Sequence, residues 1–582
     1  MDVDIVCVGF GPATGGFLTT LSRQLPLPDG TMPQVICYER ADDIGFGVSG
    51  VVTRGRGIRA SFPDFDPAQI PMTAPVGEER VLYLLDPHGA SRRSPILRLA
   101  DALLRPLAKH HAVELPYIPP YLRKRGGFVT SIGQFNQWVG AQLMSSGTIQ
   151  IWPGTPVAKP LIVGDKVTGV RLADQGAAPG MDIGAALTVV ADGPVGPVGR
   201  QLDEKFGLPA GRHQHDFAIG MKFVVNLPEG CPLKPGTVLH TLGYPEPEIF
   251  GFLYVYPDNV ASLGIFVPSW FDTPVRTAYR YLQHWMLHPY LWRYLDGGAL
   301  RSWGAKTLGE SGKQGEPYLV GNGYARIGEG SGSTNVLTGS GVDEAWATGA
   351  MLAEAVIELL KEKKPFTKEN LQATYVKRRR ESWVEREGRV AEHARDGFHA
   401  GMVAGMLGMA LAGATRGKLN APVKPRPARQ HTPSLAAYYK DRIPVAEIEK
   451  IRQECAARGV SAHNALMDRV GWPAIPFDGK LLVSHQDALL MGGKVQAPAG
   501  YADHVVFLYP ELCEHCGTKI CVEVCSGQAI TPGEKGVPAF DREKCVHCGV
   551  CMWNCATPHP EHPDGTVLEF RAAPGGLHSA EN

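Results

Sequence analysis

The sequence predicts an α/β, Rossmann-like fold followed by a cysteine-rich α+β module, and three observations carry that prediction. The first is a strand, a glycine-rich turn, a helix, a second strand and an acid, in that order, between Asp4 and Glu39. The second is a window from Cys513 to Cys555 that holds eight of the chain's 12 cysteines at ligand-like spacings. The third is composition: 69 Gly and 47 Pro in 582 residues suit a loop-rich α/β enzyme better than a coiled coil or a helical array.

Taken in order, Asp4–Phe10 (DIVCVGF) reads as a short buried strand, and Gly-Pro-Ala-Thr-Gly-Gly feeds a helical run through Leu21. Gly9 and Gly11 open the dinucleotide fingerprint, in which a tight turn aims a helix N-terminus at a pyrophosphate. Pro12, Ala13, Thr14 and Gly15 complete the candidate turn, with Thr14 where the third glycine usually stands. The strand Gln34–Tyr38 ends at Glu39 and Arg40, the place expected for a carboxylate that binds a ribose hydroxyl. A glycine-rich turn with a surface glutamate is the plainer alternative. Two later segments favour FAD over NAD as the cofactor. Leu187–Ala191 reads as a strand running into Asp192 and Gly193. Tyr324–Gly330 reads as a strand ending in an acid, with Gly328 and Glu329 before a helix from about Glu344 to Lys361. Such an acid reaches a ribityl or pyrophosphate group while the helix N-terminus faces the flavin.

Cys545-x2-Cys548-x2-Cys551-x3-Cys555 has the spacing of a bacterial ferredoxin motif. In that motif three cysteines hold one cluster and the fourth reaches to its neighbour. Cys513-x2-Cys516-x4-Cys521-x3-Cys525 is the same run with two residues added before its third cysteine. The crossed rule assigns Cys545, Cys548, Cys551 and Cys525 to one [4Fe–4S] cluster, and Cys513, Cys516, Cys521 and Cys555 to a second. Zinc would leave the third and fourth cysteines of each run unexplained. Disulfides fit poorly, because the N-terminus opens on a strand without a secretory pattern, which places the chain in the cytoplasm or on a membrane's cytoplasmic face. Ser526 and Ala556 stand where proline commonly follows the fourth cysteine. Lys plus Arg equals Asp plus Glu at 58 each, so no global charge bias points to nucleic acid.

The middle of the chain reads HTLGYPEP, then FGFLYVYPDNVASLGIFV, then LQHWMLHPYLWRYLDGGALRSWGAKTL. Gly251–Tyr254, His288-Pro289, Gly304–Lys306 and the C-S-G-Q-A-I and C-V-H-C-G-V-C runs resemble the electron-transfer-flavoprotein:quinone oxidoreductases. That resemblance implies an α/β FAD-binding domain of the glutathione-reductase type, an inserted β-rich quinone-binding domain and a C-terminal ferredoxin-like domain. It implies electron flow from reduced electron-transfer flavoprotein to a membrane quinone, ubiquinone or menaquinone. Single-cluster members resemble the chain at Cys525, Cys545, Cys548 and Cys551; the other four cysteines look like a two-cluster ferredoxin-like subunit fused to it. By the same resemblance a quinone headgroup sits near Phe250 and Gly251, with Tyr254 and Trp270 as apolar walls. The expected partition is 1–60, 130–210 and 315–395 for FAD, and 61–129 with 211–314 for quinone. Residues 396–434 then form a membrane-contact helix and linker, and 435–582 carry the iron–sulfur domain within about 500–575. No side chain stands out as a catalytic acid.

Gly397–Thr415 is uncharged and reads as a helix lying in the membrane plane, a spanning or a buried helix being the alternatives. Met402, Met406, Met409 and Leu411 are expected to share its apolar face. Tyr117–Phe128 offers aromatics together with Arg123, Lys124 and Arg125 for anionic headgroups. The expected location is therefore the cytoplasmic face of the inner membrane, peripheral or monotopic. Two other functions stay open: a flavin-dependent polyprenyl reductase fed by its own ferredoxin domain, and a non-catalytic electron-relay subunit. A flavin monooxygenase would leave the clusters without a task.

Overall fold

A computed structural model describes the chain except residues 46–49, 176–177, 275–276, 492–493, 496–500, 563–564, 575 and 578–582. The first strand, Asp2–Val8, pairs in parallel with Val35–Tyr38 on one side and Asp182–Val190 on the other. All four residues of Val35–Tyr38 are buried, as expected for a parallel strand covered on both faces. The eight-stranded sheet runs Val320–Gly321, Tyr324–Arg326, Asp182–Val190, Asp2–Val8, Val35–Tyr38 and Gln150–Trp152. Val157–Val163 and Lys166–Leu172 join as an antiparallel flap.

Helix Pro12–Ser22 starts with proline in its first turn and packs against helix Val342–Lys361. The two backbones nearly touch: a Cβ on Gly349 would lie 1.9 Å from the Ala13 carbonyl, and one on Gly16 would lie 2.3 Å from that of Trp346. Only glycine permits this crossing, which sets the first helix's N-terminus at the carboxyl ends of the central strands.

A second sheet of seven strands runs Ala299–Gly309, Phe217–Asn226, Val260–Pro268, Phe250–Val255, Thr237–Leu242, Glu78–Leu84 and Ala112–Glu114. Its pairs are antiparallel except Thr237–Leu242 with Glu78–Leu84. Helices Ala278–Met286 and Pro289–Leu295 cover one face, joined by residues 435–489 in one large apolar core. Within that stretch lie helices Val445–Ala457 and His463–Arg469.

The cysteine-rich segment consists of short pieces: strands Val505–Phe507 and Leu568–Phe570 pair, as do Ile530–Thr531 and Ala539–Phe540. Helices Ile520–Glu523 and Val550–Asn554 pack together between them. Arg200 donates to the Phe570 carbonyl at 2.7 Å, and the Thr307 amide donates to that of Cys548 at 3.0 Å. Trp553 donates to the Thr307 hydroxyl at 3.0 Å and stacks on Phe217. The segment is thus fastened to both sheets.

Two membrane-facing expectations are corrected. Gly397–Thr415 is not one helix: a tight turn, Asp396–Ala400, precedes Gly401, whose φ of 107° interrupts the run, and the helix proper is Met402–Thr415. Its exposed apolar side chains are Val403, Met406, Leu407 and Leu411, whereas Met402 is buried. Phe398 packs where a Cβ on Gly405 would stand and turns Met402 inward. Among the described residues no helix is long and apolar enough to cross a membrane. Lys124 is buried rather than presented to solvent; its ammonium donates to the Thr338 carbonyl at 3.0 Å, while Arg123 and Arg125 remain exposed.

Candidate functional site

At the end of the first strand Gly9 adopts φ 87°, and a Cβ there would meet the Ala191 carbonyl at 2.9 Å. The Thr14 hydroxyl donates to the Gly9 carbonyl at 2.6 Å, so the residue in the third-glycine position ties the turn down instead of opening it. Gly11 faces open space and caps Pro12–Ser22 without any side chain, leaving the helix's first amides available to an anion. Glu39 accepts from the Phe10 amide at 2.7 Å and the Ala41 amide at 2.9 Å, which fixes its carboxylate beside the turn. Arg40 has a buried Nη1 without a hydrogen-bond partner. Desolvation lowers its guanidinium, opposed by Glu39 and Cys545.

Gly193 also faces open space, and Asp192 accepts from the Val198 and Gly199 amides at 2.9 and 3.0 Å. Gly328 abuts Ala13 of the first helix. Glu329 lies in the turn beyond the strand Tyr324–Arg326 and accepts from the Gly309 amide at 2.7 Å. Burial raises its carboxyl, against the pull of that amide and of Lys306. A cleft of about 460 Å³, part of it open to solvent, has Gly193, Gly309, Glu329 and Gly330 in its wall. The helix Val342–Lys361 starts at Gly341 without a side-chain cap, and Asp343 in its first turn reaches away to accept the Arg56 and Gly57 amides at 2.8 and 2.7 Å.

Cys513, Cys516, Cys521 and Cys555 share a hollow of about 300 Å³. Burial, then the proximity of Cys548 and Cys525, raises Cys545, and burial with Cys548, Cys525 and Cys545 raises Cys551. Every cysteine is free of disulfides. Among the described residues no three His, Cys, Asp or Glu side chains gather tightly enough for a single metal ion. The thiols meet hydrogen-bond donors: Ala529 N–H reaches Cys525 Sγ at 3.1 Å and His547 N–H reaches Cys545 Sγ at 3.4 Å. His504 Nε2 lies 3.2 Å from Cys545 Sγ, and its ring stacks on His547 at 4.1 Å.

Lys306 joins the two regions. Its surface is accessible, yet enough protein surrounds the ammonium that desolvation lowers it to about 8. The charges acting on it are Arg40, Glu39, Glu329 and Cys548, so the candidate flavin residues and the Cys525–Cys551 group form one neighbourhood.

Phe250 lies at the start of strand Phe250–Val255 and meets Trp270 and Phe398 edge-on at 6.3 and 6.0 Å, while Trp270 and Phe398 stack at 4.2 Å. Leu97, Leu242, Met402 and Met409 close this aromatic box. Gly251 is accounted for by packing, since a Cβ would strike Trp285 Nε1 at 2.4 Å and Thr241 Oγ1 at 2.6 Å. Tyr254 packs with Val52, Phe252 and Tyr256 and bonds His240 at 3.0 Å, at the far end of the strand from Trp270. The two aromatics therefore do not wall one pocket.

Four features escaped the sequence reading. Lys306 lay inside a quoted run without a role, and His504 precedes the cysteine window with no local motif. Glu246 stands buried between two prolines, with half-buried Glu248 two residues on. Helix Pro95–Leu104 has no buried residue, and Ile96, Leu99, Leu103 and the following Leu107 are 64–70 % exposed. Its apolar spacing of three and four was readable as an amphipathic helix.

The fold is of the mixed α/β, FAD-binding type. A geranylgeranyl bacteriochlorophyll reductase-like protein from Thermoplasma acidophilum superposes with a TM-score of 0.52 over 76% of this chain and 99% of its own, at 16% identity. Residues 217–308, the centre of the seven-stranded sheet, match the family model described as ETF-QO, ubiquinone-binding. The chain is similar in sequence to proteins named electron transfer flavoprotein-ubiquinone oxidoreductase. The mitochondrial protein of Mus musculus is 29% identical over 433 residues, 70% of this chain and 65% of that protein. A probable bacterial counterpart from Acinetobacter baylyi is 27% identical over 379 residues, 62% of each chain. The chain thus matches slightly less than two thirds of these relatives' length.

Proposed function

We propose that this chain passes electrons from reduced electron-transfer flavoprotein to a membrane quinone. The observation that carries the reading is the junction on strand Ala299–Gly309, where the Thr307 amide donates to the Cys548 carbonyl at 3.0 Å and the Gly309 amide to Glu329 at 2.7 Å, so one strand joins the candidate flavin residues to one cysteine group. When bound, FAD supplies one- and two-electron chemistry and [4Fe–4S] clusters supply one-electron steps. The residues present fit both groups. Gly11 and Gly193 leave open space, and Arg40 has an orphaned buried nitrogen suited to an anion. Gly9–Gly15 and the helix behind them would hold the pyrophosphate, Glu39 a ribose hydroxyl, and Asp192, Gly193, Gly328 and Glu329 the flavin end. Cys525, Cys545, Cys548 and Cys551 would hold the cluster nearer the flavin, with N–H groups already aimed at their sulfurs. Cys513, Cys516, Cys521 and Cys555, around their own hollow, would hold the outer one.

The aromatic box at Phe250 is the quinone pocket of this reading. It lies between two helices that turn apolar side chains outward, Pro95–Leu104 and Met402–Thr415. Arg98, Arg105, Arg123, Arg416 and Lys418 are exposed on the same segments, which suits an anionic membrane surface. The association is monotopic, with quinone entering from the lipid between the helices. In the test, anaerobic protein is bleached by reduced electron-transfer flavoprotein and then mixed with a soluble ubiquinone or menaquinone analogue. Bleaching followed by quinone-dependent recovery is expected. Bleaching without recovery returns the relay or prenyl-reductase reading, and no bleaching removes the proposed donor.

A further inference from the structure

The loop between strands Thr237–Leu242 and Phe250–Val255 reads Gly-Tyr-Pro-Glu-Pro-Glu-Ile and carries two carboxyl groups into the protein. Glu246 is 2 % exposed and accepts one hydrogen bond, from the Arg92 amide at 2.7 Å. Glu248 has a buried carboxylate oxygen, Oε2, without any hydrogen-bond partner. A buried carboxylate left unpaired is costly, and the neutral acid is the form such a site favours.

Glu248 stands just ahead of the aromatic box in the chain. Phe250 follows two residues along the chain, and Asp272, whose charge acts on Glu248, follows Trp270 by two. The Trp270 indole N–H is itself buried without a partner. The box therefore has one orphan donor in its wall and one orphan carboxyl at its edge, the pair of groups a quinone's carbonyl oxygens accept from.

Against the burial that raises the Glu248 carboxyl, Arg93 and Arg92 pull it down. Arg93 is committed to Asp101 at 2.7 Å and to the Gly243 carbonyl, and the Arg92 guanidinium lies over the Tyr438 ring at 4.6 Å. Behind Glu248, Glu246 is acted on by both Glu248 and Asp86. Asp86 is half-buried, holds the His88 and Ser91 amides at 2.8 Å, and adjoins exposed His88. The three acids thus step from the pocket's edge to the surface. Burial raises the inner two, Glu248 to about 7 and Glu246 to about 8, so both hold a proton at neutral pH for part of the time.

We propose that Glu248 is the acid that protonates a quinone reduced in the pocket of Phe250, Trp270 and Phe398, and that Glu246 and Asp86 resupply it from solvent. The proposal rests on the quinone reading above. Two electrons arrive through the chain's own redox centres and leave negative charge on the quinone oxygens. The Glu248 O–H bond breaks as an O–H bond forms at the oxygen facing it. The carboxylate left behind takes a proton from Glu246, which is refilled through Asp86. The second oxygen takes its proton from water, so one quinone, two electrons and two protons give one quinol.

The test uses full-length protein carrying its flavin and clusters, reduced stoichiometrically with dithionite and mixed with a short-tailed ubiquinone or with ferricyanide, which takes up no proton. E248Q is expected to slow reoxidation by quinone about 100-fold, the scale of a lost general acid, while ferricyanide reoxidation stays near wild type. E246Q slows the quinone reaction less, about ten-fold, and E248D recovers part of the rate. E248Q turning over quinone at the wild-type rate overturns the relay and leaves the quinone pocket standing. Loss of both reactions in E248Q overturns it too, as a structural role. Wild-type protein reoxidised by ferricyanide and not by quinone overturns the quinone reading and the relay together.

Discussion

His504 touches Cys545 through one nitrogen and His547 through its ring face, and these two contacts separate cleanly by mutation. A hydrogen bond donated to a cluster thiolate favours the reduced, more negative cluster and so raises its potential. His504→Phe keeps a flat ring against His547 and removes the donor. Losing about 1 kcal/mol of differential hydrogen bonding corresponds to roughly 40 mV for one electron. EPR-monitored titration should therefore find one cluster about 40 mV lower and the other unmoved. Equal potentials in mutant and wild type would mean that His504 only packs. Its role was illegible beforehand because Asp503-His504-Val505 has no spacing relation to the cysteines; only folding brings it to Cys545. Glu39 and the cysteine groups were legible because their chemistry depends on local spacing, which sequence records directly. The role expected of Tyr254 failed for the opposite reason. Strand position says which face a side chain takes, but not which end of the strand abuts the box.

At the scale of elements, the proposed membrane contact rests on two short helices. Leu99 and Leu103 lie one helical turn apart on Pro95–Leu104, fully in solvent, and burying each would contribute about 1.5–3 kcal/mol. L99D with L103D should reduce binding to vesicles containing anionic phospholipid by at least about ten-fold, since ~1.4 kcal/mol is a factor of ten. Flavin and cluster absorbance should not change, because no residue of this helix is buried. Vesicle sedimentation measures it, and undiminished binding would assign the surface to other elements. The sequence pointed to the other helix, Met402–Thr415, and overstated its length. The break at Gly401 depends on Phe398 stacking on Trp270, a contact between segments far apart in the chain.

Across the whole molecule, a charge network staples the helical segment after residue 376 to the sheet region. Lys313, Arg380 and Arg389 converge on Glu385, whose side chain is 3 % exposed, at 2.7, 2.8 and 2.7 Å. Against the desolvation that burial imposes, the bonds from Lys313 and Arg389 hold its carboxyl down to about 2. A carboxyl lowered by folding stabilises the folded state above its unfolded pKa, near 4.3, and that contribution disappears as pH falls toward 2. On the order of 2–3 kcal/mol should be lost between pH 5 and 2. Urea titrations at several pH values measure this, and Glu385→Gln should flatten the acid limb; an unchanged slope would remove Glu385 as its source. The parallel sheet was legible because strand, turn and acid recur in fixed order, whereas the seven-stranded sheet was expected only through the family resemblance. How the sheets and the cysteine segment are fastened was not, since Arg200, Thr307 and Trp553 carry no pattern that separates a seam from a surface.

That seam bears on how the molecule works when dilute. Arg200 grips the Phe570 carbonyl, and the Thr307 amide grips that of Cys548, one of the candidate cluster ligands itself. A ferredoxin on a separate chain must find its flavoprotein at every turnover, and the encounter fades as both are diluted. On the proposed reading, covalent linkage and a sewn interface replace that encounter, so an internal hand-over would proceed at one rate whatever the protein concentration. Scarcity would then be felt only at the two outer doors, where the proposed donor arrives and where the quinone leaves.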